Sequence, residues 1–379
     1  MSKSSADRLF ARIGPLKILH SSPPMIETTV AILTALVVIA TLLPFSRNEY
    51  WWIRGWDFPR LQVACLALLL VGVALATSAW ETGLGRAVLI GSAGCFLYQA
   101  YRILPYTRLA RHEVKSARDC NRDRRLRLLS SNVLISNRDT ERMLAQIRKH
   151  QPDIVVTLES DARWQTALDT LQPEYPHAIK QPLDNAYGMH IYSRLPFEEA
   201  KVEFLVEPGI PSVHGTVVLP SGDRVRLHFI HPTPPSPTEN ERSTERDAEL
   251  VIVAKRVAQE SGPIIVTGDL NDVAWSTTTR LFRKLSRLLD PRIGRGMFNT
   301  FHAHWFFMRW PLDHVFHSDH FTLVELRRLR SIGSDHFPIL IDLALEPERA
   351  PEQEAPQADS DDHQLAEEKL ARAGKAGKT

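Results

Sequence analysis

The sequence predicts an α/β domain with a mixed sheet arrangement, carried behind a set of membrane-spanning helices. Three observations lead there. Three long apolar runs, nearly free of charge, occupy residues 28–104. From Leu126 onward, short β-rich runs alternate with amphipathic helical stretches. Strand-to-helix and hairpin connections both occur, which suits a mixed sheet better than a purely parallel one.

Residues 1–27 form a polar tail with Lys3, Arg8, Arg12 and Lys17. The first apolar run, Thr28 to Phe45, carries no charge apart from its flanks. At ~1.5 Å per residue, about 18 residues cross most of a ~30 Å hydrocarbon core. A signal peptide would start earlier and stand alone, so a span is the better reading. The segment Glu49–Arg60 mixes Trp51, Trp52, Trp56 and Phe58 with arginines, as an interfacial belt does. Leu61–Trp80 is the second run. The third, Ala87 to Tyr101, is weaker because Gly91, Ser92, Gly94 and Gln99 interrupt it. Arg102 at its edge can snorkel to headgroups and extend the span to Leu104.

Three spans, about 28–45, 61–80 and 87–104, put the termini on opposite sides. The tail and the Glu81–Arg86 loop carry five Lys/Arg, against twelve on the other side. That count weakly favours a cytoplasmic C-terminal domain in a multi-pass membrane protein (inner membrane, if bacterial). The side stays open, because large domains translocate regardless of charge. Residues 105–125 read as a basic, solvated linker. Cys65, Cys95 and Cys120 make no disulfide framework or zinc spacing, and a net charge of +2 sets no global bias towards nucleic acid.

Within 126–345 the expected strands are Leu126–Val133, Asp153–Leu158, Tyr187–Ser193, Val213–Leu219, Val225–His231, a strand from Ile264, His314–Phe316, Phe321–Leu326 and Phe337–Leu345. The expected helices are Asp139–Lys149, Asp161–Leu171, Glu239–Glu260 and Thr277–Leu288. Residues 346–379, rich in Glu, Asp, Ala, Pro and Lys, read as a disordered tail.

Polar residues recur where apolar strands end. Ile264-Ile265-Val266-Thr267 runs into Gly268-Asp269-Leu270-Asn271, with Asp269 and Asn271 two apart and so on one side of extended backbone. Asn132 ends the first strand, Glu159 the second, and His231 closes a third before a Pro-rich loop. Asp313-His314 and Ser334-Asp335-His336 follow. Each alone is as readily a turn or helix-capping residue; it is their joint order that points to a site.

Ser131-Asn132-Val133, Leu158-Glu159, His231-Pro232, Gly268-Asp269-Leu270-Asn271, Leu312-Asp313-His314 and Ser334-Asp335-His336-Phe337-Pro338 together resemble the endonuclease/exonuclease/phosphatase superfamily. That superfamily includes DNase I-like nucleases, inositol polyphosphate phosphatases and neutral sphingomyelinases. Its membrane-anchored bacterial members look most similar. The resemblance implies a four-layer α/β/β/α sandwich and a divalent-metal-dependent phosphoesterase, with Mg²⁺ as metal and Mn²⁺ as an alternative. It implies Glu159 and Asn132 at the metal, and Asp269 as the base with Asn271 orienting nucleophile and phosphate. His231 and His336 would hold phosphate oxygens. Asp335 would orient His336 or bind metal, Asp313 would support the phosphate site, and His314 would be structural. Hard oxygen ligands and imidazolium donors suit phosphate-ester hydrolysis, which needs no covalent nucleophile.

The partners implied are a phosphate ester, from nucleic acid or from a phospholipid or headgroup, and the bilayer itself; no protein partner follows. Residues 128–345 carry 24 Lys+Arg and 27 Asp+Glu, a net of −3, which argues against a strongly basic nucleic-acid surface. The cluster Arg280, Arg283, Lys284, Arg287, Arg292 and Arg295 is the exception. The aromatic stretch Phe298–Trp310 reads as core packing, a substrate wall or a membrane-facing loop. A catalytically inactive membrane scaffold on the same fold is the alternative function.

Overall fold

The computed structural model describes residues 24–77, 81–118 and 121–376. Most of the polar tail, Trp80 and Cys120 lie outside them. Residues 24–42 and 61–100 make one compact unit, and 43–60 with 101 onward make another.

The first unit is helical. Its elements are α1 (Pro24–Leu42), most of α3 (Arg60–Ala76) and most of α4 (Gly83–Ile103); the short α2 (Trp51–Arg54) belongs to the other unit. Val37, Val63, Ala67, Leu70 and Cys95 form its core. Small and polar residues sit between the helices: Thr34 Oγ1 lies 3.1 Å from Ser92 Oγ, and Gln99 Nε2 donates to Thr41 Oγ1 at 3.1 Å. Such pairs are the usual contacts of helices in lipid. Two stretches, Met25–Phe45 and Gly83–Tyr106, are long and apolar enough to cross a membrane. The stretch that looked weakest in sequence is thus the longer of these two, because Arg102 and Leu104 extend it. The second run stops as a helix at Ala76, after 17 residues, and qualifies only together with Trp51–Asp57, from which it is bent by 68°. Among the described residues the candidate spans number two, or three if that bent pair is one.

The second unit holds two sheets. The strands are β1 (Arg125–Asn132), β2 (Ile154–Leu158), β3 (His177–Gln181), β4 (Met189–Ser193), β5 (Phe197–Glu203), β6 (Ser212–Val218), β7 (Arg224–Phe229), β8 (Ile264–Asp269), β9 (Asp313–His317), β10 (Phe321–Arg328) and β11 (Ile339–Leu345). The helices are α5 (Thr140–His150), α6 (Ala162–Leu168), α7 (Thr244–Gln259), α8 (Thr277–Ser286) and α9 (Ser360–Ala376). One sheet runs β10-β11-β1-β2-β4-β3 and the other β5-β6-β7-β8-β9. Both are mixed, with β1–β2 and β7–β8 parallel and the other pairs antiparallel. Alternate residues of the two sheets, such as Leu128, Val156, Ile191, Leu227, Ile265 and Ile341, interdigitate between them. The outer face of the first sheet packs on α5 and α6 through Met143, Ile147 and Trp164. That of the second packs on α7 and α8 through Leu250, Val253 and Phe282. This is the expected four-layer order, and it stacks the C-terminal ends of β1, β2, β7 and β8 at one edge.

Three segments differ from expectation. The tail is not disordered over 360–376: α9 lays Ala366, Leu365 and Leu370 on the α7/α8 face, and Lys369 Nζ reaches Asp247 Oδ2 at 2.5 Å. Its charged composition conceals a narrow apolar stripe at helical spacing. The basic linker is not solvated either. Tyr106 and Val114 are buried, Arg283 pairs with Glu113 at 2.6 Å, and Ala117 N donates to Leu323 O beside β10. The Glu49–Arg60 segment leaves Trp51, Trp52 and Trp56 partly exposed but buries Ile53, Asp57 and Arg60 against this unit. Strands β3 and β5 were not foreseen; both are sheet edges, half-exposed, and β5 carries four charges in seven residues.

On α7, Glu249 is buried with Oε1 unpartnered. Burial, aided by the Glu207 charge, pushes its carboxyl up to about 8. A raised carboxyl contributes stability that is complete below the unfolded value and is lost as pH rises through about 8. Glu249→Gln is therefore expected to melt at higher temperature than wild type at pH 9, by on the order of a few kcal/mol of stability, with the gap closing towards pH 5. Thermal melts across that range check it.

Candidate active site

Strand ends bring the polar residues together. Asn132, at the end of β1, donates from Nδ2 to Glu159 Oε1 at 2.7 Å and to Asp269 Oδ2 at 3.2 Å, and its Oδ1 accepts from Leu134 N. Ser334 Oγ donates to Asn132 O at 2.8 Å, tying the loop before β11 to the same strand end. Glu159 follows β2 with φ +58, a left-handed turn that swings its half-buried carboxylate back over β1. Burial raises its carboxyl, against the pull of His231, Asn132 and His336.

Asp269 ends β8 at 1% exposure. Gly268 is required before it: at φ +153, a Cβ there would sit 1.8 Å from Ile230 O, the backbone that leads to His231. Asn271 N donates to Asp269 Oδ1 at 2.9 Å, which leaves Oδ2 facing Asn132, His336 Nε2 (3.5 Å) and His231 Nε2 (4.0 Å). Burial alone would raise the Asp269 carboxyl; His336, His231 and the two amides overcome it and hold it low. The Asn271 side chain is turned away, its Nδ2 donating to Pro232 O at 2.9 Å.

His336 lies between two carboxylates. Its Nδ1 is 2.7 Å from Asp313 Oδ2, and its Nε2 faces Asp269. Burial would lower the imidazole, but Asp313 and Asp269 together push it up to about 10, so it stands as an imidazolium at neutral pH. Asp313 is in turn fixed by its own N–H and that of Leu312 donating to Thr300 Oγ1. The residue orienting His336 is thus Asp313, not its neighbour Asp335, whose carboxylate takes a 3.3 Å bond from Ser334 Oγ. His231, 3% exposed and lowered chiefly by burial, packs tilted against Tyr187 with ring centres 5.2 Å apart. His314 lies apart from the site, held by Arg292 Nη2 and Asp272 O.

The donor atoms of Asp269, Asp313 and His336 lie within 4.8 Å of one another and form a possible metal-binding cluster. A cation there would compete with a protonated ring whose two nitrogens already face carboxylates. Glu159 is the half-buried carboxylate next to Asn132, and the cost of its burial would fall with a cation beside it. Two buried polar atoms nearby, Asp313 Oδ1 and His231 Nδ1, have no protein partner, as befits a centre built to receive a charged group.

Residues 129–336, more than half of the chain, match the sequence profile of the Endonuclease/Exonuclease/phosphatase family. The chain belongs to that family. Members of the endonuclease/exonuclease/phosphatase family are hydrolases of phosphoester bonds, generally with a divalent metal. Among solved structures, it is similar to the human Nocturnin catalytic domain with bound sulfate (17% identity, 59% of this chain and 95% of that one, TM-score 0.49). It is also similar to an endonuclease/exonuclease/phosphatase from Beutenbergia cavernae (21%, 59% and 72%, 0.47) and to D. rerio TDP2 complexed with single-strand DNA product (16%, 58% and 98%, 0.48). Likeness at this level does not reach substrate. No curated protein matches the chain.

Some partners had no sequence signal. Arg246, on α7, donates to Asn271 O at 2.8 Å and to Asp247, and Thr300 anchors Asp313. Arg246 is an ordinary residue of its helix and Thr300 of a loop, and only the fold brings them to the site.

Proposed function

We propose that this chain is a membrane-anchored, divalent-metal-dependent phosphoesterase that hydrolyses its ester by activated water. The observation that carries the reading is the line Asp313–His336–Asp269 with the Asn132–Glu159 pair against Asp269. Glu159, with Asn132 beside it, would hold the cation (Mg²⁺, with Mn²⁺ as alternative), and Asp335 is a second candidate donor. When bound, the ion neutralises phosphate charge. Asp269, ionised and fixed by Asn271 N, takes the proton of the attacking water. The hydroxyl ends on phosphorus, and the leaving oxygen takes a proton from solvent. His336, kept charged by Asp313, donates to the phosphoryl oxygens as their charge builds. His231, also facing Asp269 Oδ2, supplies a neutral donor.

A lipid or headgroup ester is favoured over nucleic acid. Phe301 packs 5.0 Å from the His336 ring, and the loop it opens exposes Trp305, Phe306 and Phe307 (54%, 80% and 52%) beside the site. Exposed aromatics of this kind suit a membrane interface. The basic cluster in 280–295 offers little to a polyanion: Arg283 pairs with Glu113, Lys284 with Asp362 and Arg292 with Asp290, and Arg295 donates to Val114 O. Full-length protein in detergent is expected to cleave sphingomyelin or phosphoinositides in mixed micelles; nicking of plasmid DNA without lipid cleavage would remove this preference. No hydrolysis of any phosphodiester would leave the scaffold alternative.

Removing Glu159 tests the metal role. Glu159→Gln is expected to raise the Mg²⁺ concentration for half-maximal activity roughly tenfold or more. An unchanged metal titration would place the ion elsewhere.

A further inference from the structure

We propose that the connection between α1 and α3, residues 43–60, is a working part of the catalytic domain that positions the Asp269–Asn271 turn. The proposal rests on the phosphoesterase reading above. The connection docks at the start of α7. Trp51 N donates to Glu241 O and Ser243 N to Glu49 O, both at 2.9 Å, and Tyr50 bridges Arg242. Thr244 Oγ1 and Arg372 Nη1 hold the two Glu49 oxygens at 2.7 and 2.9 Å.

From there it reaches the segment that follows Asn271. Residues 273–275 lie in neither helix nor strand, and side chains from outside hold them. Trp275 Nε1 donates to Asp57 O at 2.7 Å, Tyr106 Oη to Ala274 O at 2.7 Å, and Arg102 Nη2 to Trp275 O at 2.5 Å. Phe58 packs edge-on against Trp310 at 5.5 Å, in one apolar cluster with Val273, Ala274, Trp275 and Tyr106. The Asp57 carboxylate, 2% exposed, pairs with Arg60 at 2.5 Å, and behind the stronger Asp272 and Asp247 it adds to the field on Arg246. Arg246 in turn holds Asn271 O, and Asn271 N holds Asp269 Oδ1.

Asn271 has φ +50, a left-handed conformation that costs about 1 kcal/mol or more and persists only where its surroundings fix it. Its surroundings here are Arg246, Asp269 and Pro232. If the 273–275 segment loosens, the turn relaxes and Asp269 Oδ1 loses its donor. The orientation of the proposed base thus depends on both segments that lead out of the apolar helices. A second consequence is topological. A docked 43–60 connection lies on the same side of the membrane as the catalytic domain, so the chain between residues 61 and 100 crosses it an even number of times.

The test uses the full chain in detergent with bis-p-nitrophenyl phosphate and Mg²⁺. Trp275→Phe removes the bond to Asp57 O, and Asp57→Asn removes the carboxylate that pairs with Arg60 and Arg54 beside that carbonyl. Each is expected to lower kcat about tenfold with KM little changed, and the double variant to fall no further than the weaker single. Trp52→Ala, exposed on the same connection, is expected to keep wild-type kcat. Wild-type kcat in both Trp275→Phe and Asp57→Asn, whatever their melting temperatures, overturns the positioning role. Docking is read separately, without activity. With Cys65, Cys95 and Cys120 replaced by serine, a Tyr50→Cys, Arg242→Cys pair is expected to form a disulfide in membranes on mild oxidation. A reduced pair overturns the docking and the even number of crossings. An inactive wild type with the disulfide formed fails the phosphoesterase reading and with it the positioning role, leaving the docking in place.

Discussion

Asp269→Asn is expected to lower kcat about 10³-fold, with KM changed little. The substitution is isosteric, and Asn271 N can still donate to the remaining oxygen, so the turn should keep its shape. What is lost is the group that accepts the proton of water, and positioned bases contribute ~10²–10⁴. The loss also takes a negative charge from between His336 and His231. Steady-state kinetics on a generic phosphodiester, beside a melt showing that the fold survives, check the result. A variant retaining a tenth or more of wild-type kcat would take Asp269 out of the proton transfer.

The second large effect concerns His336. His336→Gln is expected to cost about 10²- to 10³-fold in kcat, the scale on which a single buried donor to a developing oxyanion acts. Its pH dependence is sharper evidence than the rate. The active form is the imidazolium, raised to about 10 by Asp313 and Asp269 against the effect of burial. On the alkaline side, activity should therefore fall as pH rises through that value. Asp313→Asn removes the carboxylate 2.7 Å away. Burial then weighs more, the ring loses its proton at lower pH, and the alkaline limb of the pH–rate profile is expected to move down. An unmoved limb would mean that another group sets it.

How much of this was legible in the sequence depends on what each residue's neighbours are. Strand β8 could be read directly, because four consecutive aliphatic or β-branched residues before a glycine have few alternatives. The polar residues that end strands were legible as a set for the same reason: each interrupts an apolar run. Their pairings were not. Asp335 adjoins His336 in sequence, yet it lies in a bend, and the partner comes from β9, in the other sheet. Arg246 lies on a helix flanked by Glu245 and Asp247, which looks like a solvated face; the fold buries it to 2%. The edge strands β3 and β5 lack a buried face to reveal them, and α9 hides three apolar contacts, Leu365, Ala366 and Leu370, among acidic and basic residues. The aromatic stretch divides: Phe301 and Trp310 pack at the base of the loop, while Trp305 to Phe307 face outward. Composition could not separate those two roles, because both require the same side chains.

The central claim is that these strand ends hold a metal-dependent, water-activating site. Its most direct test is hydrolysis of bis-p-nitrophenyl phosphate by the full-length protein, stripped with EDTA and then given Mg²⁺. The account predicts no turnover after stripping, recovery on adding metal to the wild type, and no recovery in Asp269→Asn. Turnover that survives stripping, or that is equal in the wild type and the variant, would contradict it.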